Sequence, residues 1–225
     1  MSNKRELFAS VISDNPKNIF QNLKIYEKMG ISGFHFDVMD GIFVPRFGLY
    51  PELMEAIRAE SKLPIEVHLM VSNVEPYLKR FASAGATRMI IHLETLQQPK
   101  SVIAQIHELG VEVGIALNPK THIDLLNEII SEVDLVLLMA INPGIPKHPF
   151  IPETLDKLVS LKRLISKSNS TSRIGIDGGV TFQNAVTLFK NGADILICGS
   201  GTIFKTENTL ESNLISLTTL INESF

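Results

Sequence analysis

Short apolar segments and longer amphipathic segments alternate strictly along this chain, and this alternation restricts its possible folds more than any other feature. The short segments are rich in Val, Ile, Leu and Phe, which is typical of buried parallel strands. They are Leu7–Ile12, Gly33–Val38, Pro64–Val71, Arg88–His92, Val111–Leu117, Asp134–Ala140, Arg173–Asp177 and Asp194–Cys198. Strands that alternate with helices are joined by helical crossovers and lie parallel in one sheet.

Each predicted strand is followed by a segment with helical periodicity. The first of these segments, residues 15–30, has Asp14 or Asn15 as a candidate N-cap and Gly30 as its C-terminal stop. The fifth covers residues 121–132, and the last lies around Thr209–Asn222. The chain therefore contains about eight strand–helix units.

Eight such units form a (β/α)8 TIM barrel, an α/β fold with a closed barrel of eight parallel strands. The competing architecture is a doubly wound open sheet, which GxGxxG after the first strand would favour. The sequence there is SVISDN and contains no glycine. No Gly/Ser-rich or Pro-rich linker divides the chain, so we predict one barrel domain over residues 1–225.

The composition is that of a globular chain with a large core, since 44% of the 225 residues are hydrophobic and 20% are charged. The net charge is -3 and no basic block is present, so we expect no nucleic-acid partner. The first residues lack the apolar core of a signal peptide, and no apolar run approaches the roughly 18 residues of a membrane span. Cys198 is the only cysteine, so no intrachain disulfide is expected. These features predict a cytoplasmic protein without membrane association.

Polar side chains are concentrated at the C-terminal ends of the predicted strands, where the chemistry of such barrels takes place. His35 and Asp37 share one face of the second strand because side chains alternate along a strand. His68 lies in the third strand, and the seventh strand ends in Asp177. If these faces point inward, two imidazoles and two carboxylates converge as a ligand set for zinc, iron(II) or another divalent cation.

The alternative to a metal site is that each of these side chains is a buried polar group with an ordinary hydrogen-bond partner. Four unpaired ionisable groups inside a narrow barrel would carry a heavy desolvation cost, which a divalent cation removes. The two aspartates also have a second use. Asp37 and Asp177 come from strands far apart around the ring, so they could remove a proton from one face of a carbon beside a carbonyl and return one to the other face.

Three methionines, Met39, Met70 and Met139, lie at the C-terminal ends of strands. Core packing is their ordinary role. Their polarisable thioethers would equally suit the lining of a planar, electron-rich intermediate, and position alone does not decide between the two. Cys198 lies in an apolar strand, so we interpret it as a packing residue and not as a nucleophile.

Two glycine-containing segments follow the last two strands, DGGVT from residue 177 and CGSGT from residue 198, and both are predicted to begin helices. Glycines let backbone N–H groups approach an anion, and helix N-termini favour one. Each segment alone is an ordinary turn sequence, but their positions at consecutive strand ends favour a phosphate site. Arg46, Lys147 and His148 are loop cations whose ordinary interpretation is solvated surface charge.

Taken together, these segments resemble the ribulose-phosphate 3-epimerase family. The resemblance rests on HFDVMDGIFVP, EVHLMV, FASAGA, INPG, FIPETLDKL, IDGGV and CGSGTIF, which occur in the family's order over essentially the whole chain. It implies a (β/α)8 barrel that inverts C3 of a ketose phosphate through an enediolate, with D-ribulose 5-phosphate and D-xylulose 5-phosphate as the default pair. Barrels of this family often self-associate, but the sequence shows no interface signature and leaves the oligomeric state open.

The resemblance also implies roles for individual residues. One divalent ion would be bound by His35, Asp37, His68 and Asp177, with zinc preferred and iron(II), manganese or cobalt as alternatives. Asp37 and Asp177 would form the catalytic acid–base pair. The implied substrate-binding residues are Ser10, Met39, His68, Met70, Met139, Gly144, Gly178, Gly179, Gly199 and Ser200.

The sequence departs from the family pattern in two loops. After FVP the loop is about two residues shorter than usual, and after INPG the segment IPKH replaces a glycine-rich one, which predicts a stiffer loop. Because these loops cover the substrate, a related ketose phosphate of different length or configuration is an alternative substrate. We expect Arg46, Lys147 or His148 to meet an anionic group of the substrate. Two other functions stay open, a non-catalytic sugar-phosphate-binding barrel and a metal-free phosphate-binding barrel such as a decarboxylase.

Overall fold

The computed structural model describes residues 5–145 and 148–225, and within these ranges an α-helix follows each of the eight strands except the fifth. The strands are β1 (Glu6–Ser10), β2 (Gly33–Met39), β3 (Ile65–Met70), β4 (Arg88–His92), β5 (Glu112–Leu117), β6 (Leu135–Met139), β7 (Arg173–Asp177) and β8 (Ile195–Cys198). The α-helices are α1 (Ile19–Lys28), α2 (Pro51–Glu60), α3 (Glu75–Ser83), α4 (Pro99–Glu108), α5 (Thr154–Lys167), α6 (Phe182–Lys190) and α7 (Leu210–Asn222). None of these helices combines the length and apolar character needed to cross a membrane.

Every strand pairs in parallel with the next, and the first strand also pairs with the last. The closing register runs from Glu6 opposite Ile195 to Ala9 opposite Cys198. The sheet is therefore a closed eight-stranded barrel. The predicted (β/α)8 fold is confirmed, and the doubly wound open sheet is excluded.

The connection between β5 and β6 differs from the helix predicted over residues 121–132. It contains two 3-10 segments, Ile123–Leu126 and Ile130–Glu132. Backbone N–H groups here bond to carbonyls three residues back, as Asn127 does to Asp124. In a segment this short, an apolar spacing of three or four residues does not distinguish a 3-10 turn from an α-helix.

The start of α1 also differs from the prediction. The helix begins at Ile19, so neither Asp14 nor Asn15 caps it. Asp14 is buried, and its carboxylate accepts hydrogen bonds from Asn22 Nδ2 at 2.9 Å and from the Tyr26 hydroxyl at 2.7 Å. This side chain therefore ties the loop after β1 to Asn22 and Tyr26, which lie one turn apart on the same face of α1.

Apolar side chains fill both sides of the barrel wall. On the outside, residues such as Phe34 and Phe36 of β2 join one large cluster with residues of the helices. The opposite faces of the strands form a separate apolar cluster inside the barrel: Phe8, Ile90, Ala116, Leu135, Leu137, Met139, Ile195 and Ile197. A Cβ atom on Gly114 would lie 2.7 Å from Ile90 Cγ1, so this glycine makes room for the interior packing.

One carboxylate, that of Asp40, organises the loop that follows β2. Its Oδ1 accepts hydrogen bonds from the backbone N–H groups of Ile42 (2.8 Å) and Phe43 (2.9 Å). Its Oδ2 accepts from both the N–H (2.7 Å) and the hydroxyl (2.8 Å) of Ser72, just after β3. Partial burial acts in the opposite direction, yet these bonds lower the pKa of Asp40 to about 2. The side chain thus joins the rim segments after two neighbouring strands.

We expect Asp40→Asn to lower the free energy of unfolding by about 1 kcal/mol, because the amide cannot accept all four hydrogen bonds and the site is partly exposed. Urea denaturation measures the loss, with Asp124→Asn, an exposed aspartate between β5 and β6, as the matched control. The folded pKa of about 2 lies below the usual aspartate value of about 3.9. The stabilisation should therefore be complete at neutral pH and decrease as the pH falls from about 4 towards 2. Equal stability of Asp40→Asn and wild type at neutral pH would contradict this assignment.

Candidate functional site

A cavity of about 600 Å³ opens at the C-terminal ends of the barrel strands. The sequence-predicted residues that line it are Ser10, Asp37, Met39, Arg46, Met70, Met139, Gly144, His148, Asp177, Gly178, Gly179, Gly199 and Ser200. His35 and His68 are fully buried in the barrel interior, next to the aspartates. Lys147 lies outside the described residues.

Two histidines and two aspartates meet at one point of the barrel interior. One nitrogen or oxygen from each of His35, Asp37, His68 and Asp177 lies within 4.8 Å of the others. His35 Nε2 is 3.2 Å from Asp37 Oδ1, 3.2 Å from His68 Nδ1 and 3.8 Å from Asp177 Oδ2. His68 Nδ1 is 3.4 Å from Asp37 Oδ1 and 3.7 Å from Asp177 Oδ2.

These separations fit a divalent cation. Ligand atoms about 2.0–2.1 Å from a tetrahedral zinc ion lie about 3.4 Å from one another. The measured N···N and N···O distances of 3.2–3.8 Å bracket that value. The donor set of two imidazoles and two carboxylates equally suits iron(II), manganese or cobalt.

The carboxylate of Glu66 bonds to Nδ1 of His35, so that the other ring nitrogen, Nε2, faces the cluster. His35 Nδ1 lies 2.7 Å from Glu66 Oε1, and an ionised carboxylate only accepts hydrogen bonds. One ring proton is therefore held on Nδ1, and Nε2 is the nitrogen that would bind a cation once it gives up its own proton. Arg88 Nη1 donates to Glu66 Oε2 at 2.8 Å, so the buried negative charge of Glu66 is itself paired.

Glu66 was not among the residues singled out from the sequence. The signal was present in strand β3, where strict alternation places Glu66 on the same face as His68. His92 and Glu94 were also missed, although His92 occupies the C-terminal end of β4 just as the predicted ligands occupy the ends of their strands. His92 Nε2 lies 3.0 Å from His68 Nε2.

The two aspartates of the cluster differ in their electrostatic environment. Burial opposes ionisation of Asp37, but contacts with His35 and His68 outweigh it and lower the pKa of Asp37 far below its usual range. Burial raises the pKa of Asp177 to about 7, and the charges of Asp37 and Glu66 act in the same direction. In the protein alone the pair therefore combines an ionised carboxylate with one that holds a proton near neutrality, as an acid–base pair requires.

The cavity wall next to Asp37 combines methionine side chains with the hydroxyl group of Ser10. Met39, Met70 and Val44 pack together as a small buried cluster, and Met139 belongs to the apolar interior of the barrel. The three methionines therefore pack in the core, which is their ordinary role, and they also line the cavity. Ser10 ends β1, and its hydroxyl donates to Asp37 Oδ2 at 3.3 Å.

The glycine segment after β7 leads into α6, as predicted. Gly178 and Gly179 have φ angles of +93° and +64°, a region that favours glycine. A Cβ atom on Gly179 would lie 2.7 Å from Phe150 Cα. Thr181 caps α6, and its hydroxyl accepts a hydrogen bond from the N–H of Asn184. The two glycines thus lie at the edge of the cavity, directly before a helix N-terminus.

The segment after β8 does not begin a helix, which corrects the prediction. Gly199 accepts hydrogen bonds from the N–H groups of Thr202 (3.1 Å) and Phe204 (3.3 Å), and this turn is followed by a loop before α7 begins at Leu210. A Cβ atom on Gly201 would clash with the backbone carbonyl oxygen of Val180, so this glycine lets the turn pack against the segment after β7. Gly199 and Ser200 still line the cavity, next to the glycine segment that follows β7.

Cys198 is buried at the end of β8, and burial raises the pKa of its thiol to about 12. A thiol in this state is a poor nucleophile, in agreement with the packing role predicted from the sequence.

Two of the loop cations singled out from the sequence line the cavity. They are Arg46, which is half-buried, and His148. They therefore face the space that a ligand would occupy, and not bulk solvent alone.

Solved structures similar to this one show the same fold. Two single-substitution mutants of the tryptophan synthase alpha-subunit from Pyrococcus furiosus give TM-scores of 0.71 and 0.70. Each alignment covers 96% of this chain and 98% of the other at 15% sequence identity. At this identity the similarity concerns the barrel alone.

Sequence comparisons are more specific. The chain is 36% identical to the ribulose-phosphate 3-epimerase of Bacillus subtilis over 192 residues, which cover 85% of this chain and 88% of the relative. It is 34% identical to the ribulose-phosphate 3-epimerase of Synechocystis sp. over 214 residues, which cover 94% and 93% of the two chains. A model of the ribulose-phosphate 3 epimerase family matches residues 6–204. The chain therefore belongs to the ribulose-phosphate 3-epimerase family.

Proposed function

We propose that this protein is a metal-dependent epimerase that inverts C3 of a ketose phosphate, with D-ribulose 5-phosphate and D-xylulose 5-phosphate as the pair that it interconverts. The observation that carries the proposal is the placement of Asp37 and Asp177. They come from strands β2 and β7, belong to one cluster of four ligands, and both border the cavity. Family membership supports the reaction and the substrate class.

The proton transfers follow from the two carboxyl groups. One carboxylate removes the C3 proton from one face of the substrate and leaves an enediolate. The other, protonated carboxyl group donates a proton to C3 from the opposite face, so that the configuration is inverted. In one direction of the reaction Asp37 acts as the base and Asp177 as the acid, and the roles are exchanged in the reverse direction.

A divalent cation would be held by His35, Asp37, His68 and Asp177, and it would supply positive charge next to the oxygen on which negative charge develops. The chain's own residues provide the rest of the environment. Met39, Met70 and Met139 keep water away from the planar intermediate, and the Ser10 hydroxyl orients Asp37. Backbone groups of Gly178, Gly179, Gly199 and Ser200 bind the phosphate.

The first prediction concerns the acid–base pair. Asp37→Asn and Asp177→Asn should each lower turnover by about 10²- to 10⁴-fold, because an amide of the same shape neither accepts nor donates the proton. Incorporation of deuterium at C3 from D₂O, together with product formation, measures this loss, and Asp124→Asn is the control. A variant that keeps near-normal turnover would exclude its residue from proton transfer. Failure of the metal-loaded wild type to exchange C3 with any ketose phosphate would instead favour a sugar-phosphate-binding protein.

The second prediction concerns the metal. The purified chain should bind one equivalent of zinc, iron(II), manganese or cobalt, and His35→Gln and His68→Gln should each weaken binding at least tenfold because a ligand is lost. Elemental analysis gives the stoichiometry, and the visible spectrum of the cobalt(II) form reports the coordination. His107→Gln, outside the cluster, is the control. Exchange at C3 that survives complete removal of metal by a chelator would contradict a metal-dependent reaction.

The third prediction concerns substrate selection by the altered loops. We propose that Arg46 and His148, which line the cavity, contact an anionic group of the substrate. We propose the same role for Lys147, which precedes His148 in the sequence. Arg46→Ala should then raise KM by about tenfold with a smaller effect on kcat, while Arg46→Lys should retain part of the affinity. Lys147→Ala and His148→Ala should show the same pattern, and Lys24→Ala on α1 is the control.

A panel of ketose phosphates of different length and configuration identifies the substrate. The substrate whose kcat/KM falls most in Arg46→Ala is the one whose anionic group reaches this loop. An unchanged kcat/KM for every member of the panel in all three alanine variants would mean that the loop cations have no role in recognition.

A further inference from the structure

We propose that His92 and Glu94 are positioning residues that fix the tautomer of His68, so that the unprotonated Nδ1 of His68 faces the ligand cluster. This inference rests on the metal site proposed above. Neither residue belongs to the four-residue cluster, and Glu94 is separated from His68 by the ring of His92. The relay that we infer runs from Glu94 through His92 to His68.

Glu94 is the fixed end of this relay. Its Oε1 accepts the backbone N–H of Asn118 at 2.7 Å and also the hydroxyl of Thr121. Lys157 Nζ donates to the carbonyl of Asn118 at 2.7 Å and holds the same loop from the other side. Glu94 Oε2 is left facing His92 Nδ1 at 3.1 Å. The carboxylate is therefore held in one orientation, and the backbone N–H of Asn118 is a donor that cannot reverse its role.

The position of the protons follows from this fixed end. Because a carboxylate only accepts hydrogen bonds, His92 carries its proton on Nδ1 and presents an unprotonated Nε2 to His68. His68 Nε2, 3.0 Å away, must then be the donor. The neutral ring of His68 has one proton, so its Nδ1 keeps a lone pair. That nitrogen is the one that lies 3.2 Å from His35 Nε2 inside the cluster.

The ring geometry suits this N–H···N hydrogen bond. The planes of His68 and His92 are inclined by 22°, and their centroids are 5.0 Å apart. The two Nε2 atoms are 3.0 Å apart, so the edges of the rings that carry them lie within hydrogen-bond distance. Both rings are fully buried, and Phe43 packs on His92 with its centroid 4.8 Å away. In the opposite arrangement, the lone pair of His92 Nδ1 would face the Glu94 carboxylate without a proton between them.

The decisive variant is Glu94→Gln, which keeps the size of the side chain. The backbone N–H of Asn118 requires an acceptor, so the carbonyl oxygen of the glutamine stays there and its NH₂ group faces His92. His92 must then accept at Nδ1 and donate from Nε2, and His68 must accept at Nε2. The proton of His68 moves to Nδ1 and blocks the lone pair that would bind metal.

The experiment combines nitrogen-15 NMR of the imidazole rings with titration by zinc and cobalt(II). In the metal-free wild type we expect a protonated Nε2 in His68 and a protonated Nδ1 in His92, and both assignments should be inverted in Glu94→Gln. Metal affinity should fall 10- to 100-fold in Glu94→Gln. His92→Gln should stay near wild type, since its amide can accept from His68 and donate to Glu94. Glu128→Gln, an exposed glutamate between β5 and β6, is the control.

The outcomes separate the relay from the metal site. Unchanged tautomers in Glu94→Gln, or inverted tautomers with unchanged metal affinity, would overturn the relay even if the wild type binds metal tightly. If the wild type shows the expected tautomers but binds neither zinc nor cobalt, the metal site is overturned. The role of the relay in preparing His68 Nδ1 for metal binding is then overturned as well. A loss of affinity in Glu94→Gln without inversion would indicate a purely structural role for Glu94 and would also overturn the proposal.

Discussion

The pairing of β1 with β8 is the interaction on which the rest of this molecule depends. It closes the sheet, so every strand has one face towards the helices and one towards a narrow interior. Closure also brings the ends of β2 and β7 to the same rim, so Asp37 and Asp177 reach one cluster although 140 positions separate them in the sequence. Interior side chains must then either be apolar, as Phe8 and Leu137 are, or have partners for every polar group.

Local patterns in the sequence were sufficient to predict the barrel and the four-residue cluster. Alternation along β2 places His35 and Asp37 on one face, and counting the strand–helix units indicates closure, so these predictions need no tertiary information. The 3-10 segments between β5 and β6 could not be predicted in this way, because the apolar spacing there suits two kinds of helix. The turn after β8 was mistaken for a helix start for a similar reason, since glycines permit both structures.

Predictions failed for side chains whose role depends on a partner from another strand. Asp14 looks like an N-cap locally, but its carboxylate bonds to Asn22 and Tyr26, which only the fold brings within reach. Glu66 and Glu94 resemble ordinary strand or loop carboxylates until the barrel places each one behind a histidine. The sequence thus predicts the groups that face the cavity better than those that orient them from behind.

The balance of buried charge explains why this arrangement suits a divalent cation. Arg88 pairs with Glu66, so the negative charge left at the centre is that of Asp37 and Asp177. In the protein alone, protons compensate this charge, because Asp37 raises the pKa of His35 well above its usual value despite burial, and burial raises that of Asp177 to about 7. A cation of charge +2 would take the place of the proton on His35 and bind the two imidazole nitrogens, while one of the two aspartates keeps the proton that the reaction transfers. Glu66 and, in our proposal, Glu94 prepare the histidines for this exchange by holding a proton on the nitrogen that faces away from the site.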